Sequence, residues 1–238
     1  KHPVVLAKEL ATLDLLSDGR LEIGIGAGWM ATDYEQAGMQ YDRPGVRIDR
    51  FLEGLEIIKR AMTGEKFSFS GKHYTITDYT ATPLPVQKPC PPILIGGGGP
   101  RVLKLAAQLA DIVGINPSLK DGVVNGETIK DMSAEAVQEK IDIITANAGA
   151  RSPDIELNIR TFLVNIRDSA QEAIEGTANM LKVDPSLVAN SPFAILGPPA
   201  KIAEDLLVRR EQWGFSYVIV GGEDVEKFAP VIKILAGK

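Results

Sequence analysis

The stretch PPILIGGGGPR occupies residues 91–101 and decides the fold class. Ile93-Leu94-Ile95 is a short apolar run of the kind found in buried parallel strands. Four glycines, Gly96, Gly97, Gly98 and Gly99, follow it directly, and Pro100 and Arg101 then begin an amphipathic pattern. Proline is well tolerated in the first turn of a helix. We therefore predict a strand–turn–helix unit with its glycine turn at the carboxyl end of the strand.

The same order recurs along the chain and predicts an α/β fold. Strands are predicted near 21–26, 93–96, 112–115, 159–164 and 216–220, each followed by an amphipathic helix. A hairpin is predicted near 67–79, a polar loop over 117–132 and a further loop over 184–199. Short apolar strands that alternate with helices favour a parallel sheet, in either an open doubly wound sheet or a (β/α)8 barrel. Both architectures place function at the carboxyl ends of the strands.

Composition excludes several classes of protein. The 238 residues carry a net charge of −5, which is not the charge of a nucleic-acid-binding surface. No apolar run reaches the roughly 20 residues of a membrane-spanning helix. The two histidines and the lone Cys90 are too few for a Cys/His zinc site, so we expect no metal. With no disulfide and no signal peptide, we expect a cytoplasmic protein.

The glycine run predicts a phosphate-binding turn. At the start of a helix, unpaired backbone N–H groups and the helix dipole attract an anion, and glycine lets the main chain approach it closely. Arg101 adds a positive charge in the first helical turn. The lysine of a nucleotide-hydrolysing P-loop is absent after these glycines. The alternative is a tight strand–helix turn that requires positive φ angles.

A second small-residue turn, Gly26-Ala27-Gly28-Trp29, follows the first predicted strand. Its small residues leave room for a flat ring, with Trp29 as a pocket wall; the alternative is a glycine bend beside a half-buried tryptophan. Asn116 ends the strand at 112–115 and is a candidate polar contact, and His2 stands at a helix start. No catalytic acid, base or nucleophile can be assigned, which indicates that a bound cofactor carries the chemistry.

Six ordered motifs span nearly the whole chain: HP at 2–3, LDLLSDGR at 13–20, GIGAGW at 24–29, FSGKHY at 69–74, PILIGGGG at 92–99 and ADIVG at 110–114. Together they resemble the luciferase-like monooxygenase superfamily. The pairing of IGGGG with DIVG is most similar to the branch that uses coenzyme F420.

The resemblance implies a TIM barrel that binds coenzyme F420, or alternatively FMN, at the carboxyl ends of its strands. It implies hydride transfer between reduced F420 and a small organic substrate. The alternatives are FMN-dependent monooxygenation with molecular oxygen, or a non-catalytic cofactor-binding fragment. The expected cofactor-binding residues are Gly26, Ala27, Gly28, Gly96, Gly97, Gly98, Gly99, Arg101 and Asn116, and the expected substrate-binding residues are Trp29 and His2.

The resemblance also carries expectations about organisation. Residues 1–238 are expected to form one barrel domain that is incomplete at its amino terminus and lacks the first three strands. The full-length protein is expected to be a homodimer that acts on a small molecule, without nucleic-acid or membrane partners. Members that oxidise sugar phosphates carry glutamate where this chain has Trp29, so we expect a different substrate.

Overall fold

The computed structural model of the chain describes residues 1–119 and 126–237. The chain forms two compact units, Lys1–Ile95 and Gly96–Lys238. The first unit contains three helices, α1 (Pro3–Leu16), α2 (Ala31–Gln36) and α3 (Pro44–Thr63). Its strands are β1 (Ile23–Ile25), β2 (Phe67–Ser70), β3 (Thr75–Tyr79) and β4 (Ile93–Gly97), and the last of these ends in the second unit.

The helices of the first unit follow from local sequence signals. In α3, Phe51, Leu55, Ile58 and Met62 recur at helical spacing, and all four are buried. Gly64 ends the helix at a φ of 82°, the left-handed conformation that glycine adopts without a steric penalty. The apolar spacing over residues 3–16 and over residues 51–62 thus predicts two helices, and the structure confirms them as α1 and α3.

The strands of the first unit form a parallel pair and a hairpin. Ile23 lies opposite Ile93 in the β1–β4 pair, and both side chains are buried. The antiparallel β2–β3 pair is the predicted hairpin. The parallel pair places the Gly26 turn immediately after the carboxyl end of β1.

Two carboxylates of the first unit bind backbone N–H groups. Glu53 of α3 accepts from the N–H groups of Lys72, His73 and Tyr74 at 2.8, 2.8 and 3.2 Å, which ties the hairpin to the helix. Burial raises the pKa of Glu53, but these hydrogen bonds outweigh it, so the pKa lies below its usual range. Asp14 of α1 likewise accepts from Gln87, through its N–H at 2.9 Å and its side-chain amide at 2.8 Å.

In the second unit the described strands pair in parallel, as predicted. One group has the order β5 (Ile112–Ile115), β6 (Glu156–Arg160) and β9 (Phe215–Ile219), and the other is the pair β7 (Leu163–Ile166) and β8 (Ala194–Gly197). The α-helices are α4 (Pro100–Leu109), α5 (Gly126–Lys130), α6 (Ala134–Ala148), α7 (Ala170–Leu181), α8 (Pro185–Ala189), α9 (Pro199–Trp213) and α10 (Val225–Leu235).

Serine residues cap two of these helices. Ser133 accepts from the N–H of Ala136 at the start of α6, and Ser169 accepts from the N–H of Glu172 at the start of α7. Serine is a preferred N-cap residue, so the sequence itself indicates both helix starts.

Three sequence-based predictions are corrected in this unit. The single strand predicted over 159–164 is two strands, because the chain changes partner: Thr161 N–H donates to Ile219, whereas Leu163 N–H donates to Phe193. The predicted loop over 184–199 contains α8 and β8, whose apolar residues pair with β7. The predicted loop over 117–132 contains α5, and its residues 120–125 lie outside the described part of the chain.

Candidate cofactor-binding site

The Gly96–Gly99 turn owes two of its glycines to close packing. None of the four has a positive φ, so the predicted alternative of a positive-φ turn is wrong. A Cβ on Gly98 would lie within 2.5 Å of the carbonyl group of Pro117, and one on Gly97 would lie 2.9 Å from Cβ of Val102. The chain itself therefore requires glycine at both positions.

Gly99 is different, because no residue within 1–119 and 126–237 requires glycine there. It has an ordinary extended conformation, φ −85° and ψ 148°, at the N-cap of α4. A Cβ built there meets no atom of the described residues within 4 Å. The position therefore opens onto free space at the amino end of a ten-residue helix, where the helix dipole favours an anion. Arg101 is exposed in the first turn of the same helix.

The structure brings Asn116 to this turn. Its N–H donates to the carbonyl of Gly97 at 3.0 Å, which continues the parallel pairing past the end of β5. Its side-chain amide nitrogen lies 3.1 Å from the position of a Cβ on Gly96. An amide donor and the glycine backbone thus share one edge, as the sequence predicts.

The loop after Asn116 is held by an ion pair between the buried Lys140 and the partly exposed Asp131. Asp131 accepts from the N–H of Ser118 at 2.6 Å and from the ammonium group of Lys140 at 2.6 Å. Only 6% of the Lys140 side chain is exposed. The pair therefore fixes the segment whose carbonyl group packs against Gly98.

Arg160 lies on the opposite face of β6 from the helices. Val218 and Val220 pack on the cluster that contains Phe228 of α10, so their face of β9 is covered. Ile219 points to the other face, because side chains alternate along a strand. Ile219 is the register partner of Arg160, so Arg160 shares that other face.

The register also places Arg160 beside Asn116. Ile115 pairs with Ile159, so the next residues, Asn116 and Arg160, are neighbours on strands that lie about 4.8 Å apart. Arg160 is exposed, and its guanidinium carbon lies 5.5 Å from the centre of the Phe162 ring. A positive charge therefore stands at the carboxyl edge of the sheet, on the same face as the Asn116 amide.

In the first unit, the Gly26–Trp29 turn is held by side chains. Gly28 has a φ of 72°, and the Tyr34 ring of α2 lies against the position of its missing Cβ. Arg47 donates to the carbonyl of Gly28 at 3.2 Å, and the Tyr41 hydroxyl donates to that of Trp29 at 2.7 Å. Trp29 is 38% exposed, and its role as a pocket wall stays a prediction.

The remaining predicted residues of this unit have simpler environments. A Cβ on Gly26 meets no atom within 4 Å among the residues that the structure describes, so this position is open there too. His2 is the N-cap of α1, where its Nδ1 accepts from the N–H of Val4 at 3.3 Å. The His2 ring also packs edge-on against Tyr74. Capping thus accounts for His2 locally, and its contact with a substrate stays a prediction.

Three residues of these sites were missed from the sequence, although two of them left a signal. Arg47 interrupts the apolar stripe of α3, four residues before Phe51, and an arginine there indicates a buried role. Arg160 is a charged residue in a parallel strand, where apolar residues are usual. Tyr41 lies in a polar stretch that shows no pattern.

The described residues contain no group of three or more His, Cys, Asp or Glu side chains placed to hold a metal ion. Among the same residues, every helix is too short or too polar to cross a membrane.

A parallel α/β fold with glycine turns at the carboxyl ends of two strands fits a TIM barrel, one of the two architectures that the sequence predicts. The chain belongs to the luciferase-like monooxygenase family, whose model matches residues 1–217. The resemblance seen in the sequence is thereby confirmed, and with it the fold class.

The relatives use two cofactors. An FMNH2-dependent dimethylsulfone monooxygenase of Pseudomonas putida is 28% identical over 78% of this chain and 47% of its own length. An F420-dependent glucose-6-phosphate dehydrogenase of Microbacterium testaceum is 26% identical over 98% of this chain and 66% of its own length. The chain thus spans between about half and two thirds of the curated relatives it matches.

Solved structures show the same fold at lower identity. The coenzyme F420-dependent tetrahydromethanopterin reductase of Methanopyrus kandleri superposes with a TM-score of 0.73, at 20% identity, over 98% of this chain and 78% of the reductase. A long-chain alkane monooxygenase superposes with a TM-score of 0.74, at 16% identity, over 99% of this chain and 66% of the monooxygenase.

Proposed function

We propose that the protein is an oxidoreductase that binds coenzyme F420 and transfers a hydride between the reduced coenzyme and a small organic substrate. The observation that carries the proposal is the free space beside Gly99, at the start of α4. Neither the backbone conformation nor packing against the described part of the chain requires glycine there. A bound phosphate group accounts for it, because backbone N–H groups at a helix start bind phosphate and a side chain would obstruct them.

The share of this chain that aligns with each relative favours F420 as the cofactor. The F420-dependent relative aligns with 98% of this chain, whereas the FMNH2-dependent relative aligns with 78%. FMN-dependent monooxygenation is the second candidate, because the FMNH2-dependent relative has the higher identity, 28% against 26%. Both cofactors combine a phosphate with a flat ring, so both fit the same residues.

In this proposal, different residues bind different parts of the cofactor and the substrate. The backbone of Gly96–Gly99 and the charge of Arg101 hold the phosphate, and the Asn116 amide donates to the cofactor. The Gly26–Trp29 turn receives the ring, and Trp29 and His2 border the substrate. Arg160, exposed beside Asn116, neutralises a negative charge on the bound ligand. The bound cofactor supplies the hydride, while these residues orient the reacting groups and exclude water.

The Gly99→Ala variant tests the phosphate site. We expect its affinity for FMN and F420 to fall about tenfold, because a methyl group displaces the phosphate from charge-assisted backbone hydrogen bonds. Its affinity for riboflavin, which lacks the phosphate, is expected to stay unchanged. Binding is measured by titration of the protein at its full natural length.

Gly176→Ala is the matched control, because a Cβ at this exposed site of α7 makes only an ordinary contact at 3.7 Å. This variant should bind all three ligands as the wild type does. Equal affinity of Gly99→Ala and the wild type for FMN and F420 would show that the turn does not bind phosphate.

Cofactor titration with a substrate panel separates the candidate reactions. F420 binding with a change of its absorbance on substrate addition supports hydride transfer. Tight FMN binding with oxygen consumption contradicts it in favour of monooxygenation. Binding without turnover identifies the third alternative, a non-catalytic cofactor-binding protein.

A further inference from the structure

Two successive carbonyl groups of the Gly26–Trp29 turn are held by side chains from outside the turn. The Gly28 carbonyl accepts from Nε of Arg47 at 3.2 Å, and the Trp29 carbonyl accepts from the Tyr41 hydroxyl at 2.7 Å. Peptide groups are planar and trans, so holding the carbonyl oxygen also fixes the direction of the N–H across the same bond. The orientation of two consecutive peptides is therefore set by Arg47 and Tyr41.

Arg47 is itself rigidly held. It is only 6% exposed, and it also donates to the backbone carbonyl of Asp42. Its guanidinium carbon lies 4.2 Å from the centre of the Tyr41 ring, a cation–π contact. Asp42 in turn forms an ion pair with Arg50 at 2.5 Å. Burying an arginine is costly unless its donors are satisfied, so this cluster holds its partners in one arrangement.

The consequence falls on the N–H groups of Trp29 and Met30. In a trans peptide the N–H points away from the carbonyl oxygen, so both groups point away from Arg47 and Tyr41. Within residues 1–119 and 126–237, neither N–H donates to a protein acceptor. The turn therefore presents two oriented donors beside the exposed Trp29 ring and the open Gly26 position.

We propose that Arg47 and Tyr41 are positioning residues, which aim the Trp29 and Met30 N–H groups at a carbonyl oxygen of the cofactor ring. The inference rests on the proposed function and deepens it. FMN and F420 share a pyrimidinedione ring, whose carbonyl oxygens are acceptors for such donors. Arg47 and Tyr41 act through the backbone and do not touch the ligand.

The Tyr41→Phe variant tests this assignment, because it removes only the hydroxyl group that donates to the Trp29 carbonyl. The ring remains, and with it the contact with Arg47 and the edge contact with Tyr34. We expect the affinity for FMN and for riboflavin to fall equally, by about two- to tenfold, the range for one lost hydrogen bond. The visible absorbance maximum of the bound flavin is expected to shift, because hydrogen bonds to the ring tune its electronic transition.

Two further variants complete the test. Tyr79→Phe removes a hydroxyl from the hairpin, where the Tyr79 ring packs on Phe67, and should change neither affinity nor spectrum. Arg47→Lys retains the positive charge and should lose less affinity than Arg47→Met, which also leaves two carbonyl groups unpaired.

The outcomes distinguish this inference from the proposed function. If wild type binds FMN, and Gly99→Ala weakens it, but Tyr41→Phe leaves riboflavin affinity and spectrum unchanged, the positioning role is wrong and the phosphate site stands. If wild type binds neither flavin nor F420, the proposed function fails and this inference fails with it.

Discussion

The two glycine turns of this protein are held in different ways. The Gly96–Gly99 turn is held by main chain packed on main chain, since Gly98 leaves no room for a Cβ beside Pro117. The Gly26–Trp29 turn is held by side chains, through the hydrogen bonds from Arg47 and Tyr41. Substituting a neighbouring side chain cannot change the position of a turn that packs on backbone. A turn that is held by side-chain hydrogen bonds can move when a substitution removes a single donor atom. Under the proposed function, the first arrangement suits a phosphate that is held in one place, and the second suits a ring whose position is tuned.

Gly98→Val is expected to lower the stability of the protein the most, because Gly98 packs directly on backbone atoms. Its branched side chain would collide with the carbonyl groups of Asn116 and Pro117, which cannot move aside as a side chain can. We expect a loss of about 3 kcal/mol in the free energy of unfolding, measured by urea denaturation. Gly99→Val, which meets open space, is the control and should lose far less. Equal stability of Gly98→Val and wild type would contradict the close packing of Gly98 on the backbone of Asn116 and Pro117. The Gly96–Gly99 turn would then not be fixed by main-chain contacts.

A smaller effect is expected for Gly28→Ala in the side-chain-held turn. A residue with a side chain costs about 1–2 kcal/mol at a φ of 72°. The Tyr34 ring lies against the added methyl group but is the flexible end of a side chain, so it can move. Combining Gly28→Ala with Tyr34→Ala should therefore recover the steric part of the loss and leave the backbone part. A double mutant no more stable than Gly28→Ala, after allowance for Tyr34→Ala alone, would show that the ring does not restrict this position.

The smallest expected effect concerns pH and the carboxylates of the first unit. Burial raises the pKa of Asp14 and of Glu53, but hydrogen bonds from backbone and amide groups outweigh it and leave both pKa values lowered. A carboxylate whose pKa is lowered by folding stabilises the folded state at every pH above its unfolded-state pKa of about 4. This stabilisation is lost as the pH falls through the pKa of the folded state. The urea midpoint should therefore decrease below about pH 4.

Glu53→Gln separates this effect from general acid sensitivity. It lacks the titrating carboxylate, so its midpoint should fall less steeply between pH 5 and 3, a range around the ordinary pKa of about 4. Glu35→Gln, an exposed site on α2, is the matched control and should follow wild type. If the urea midpoint fell equally steeply with pH in Glu53→Gln and in the wild type, the contact between Glu53 and the hairpin would not depend on charge.

Much of the fold was predictable, because its signals are local. The apolar stripe of α3, the serine caps of α6 and α7, and the glycine run between β4 and α4 each lie within a few residues. The split between β6 and β7 was not predictable, because Thr161 and Leu163 donate to different strands. β8 was missed because Ala194–Gly197 is a short apolar run between prolines and is a strand only beside β7.

The sequence by itself determined the family, the parallel α/β fold and the identity of both glycine turns, because those depend on residue order and local spacing. The tertiary structure alone decided what each glycine is for. Gly98 is required by Pro117, nineteen positions further along the chain, and Gly28 by its φ of 72°, while Gly99 is required by neither. It also decided that Arg47 is a partner of the Gly26–Trp29 turn, because Arg47 lies nineteen residues after Gly28 and contacts it only when α3 has packed. Contacts between distant residues leave no periodicity in a sequence, so only the folded chain reveals them.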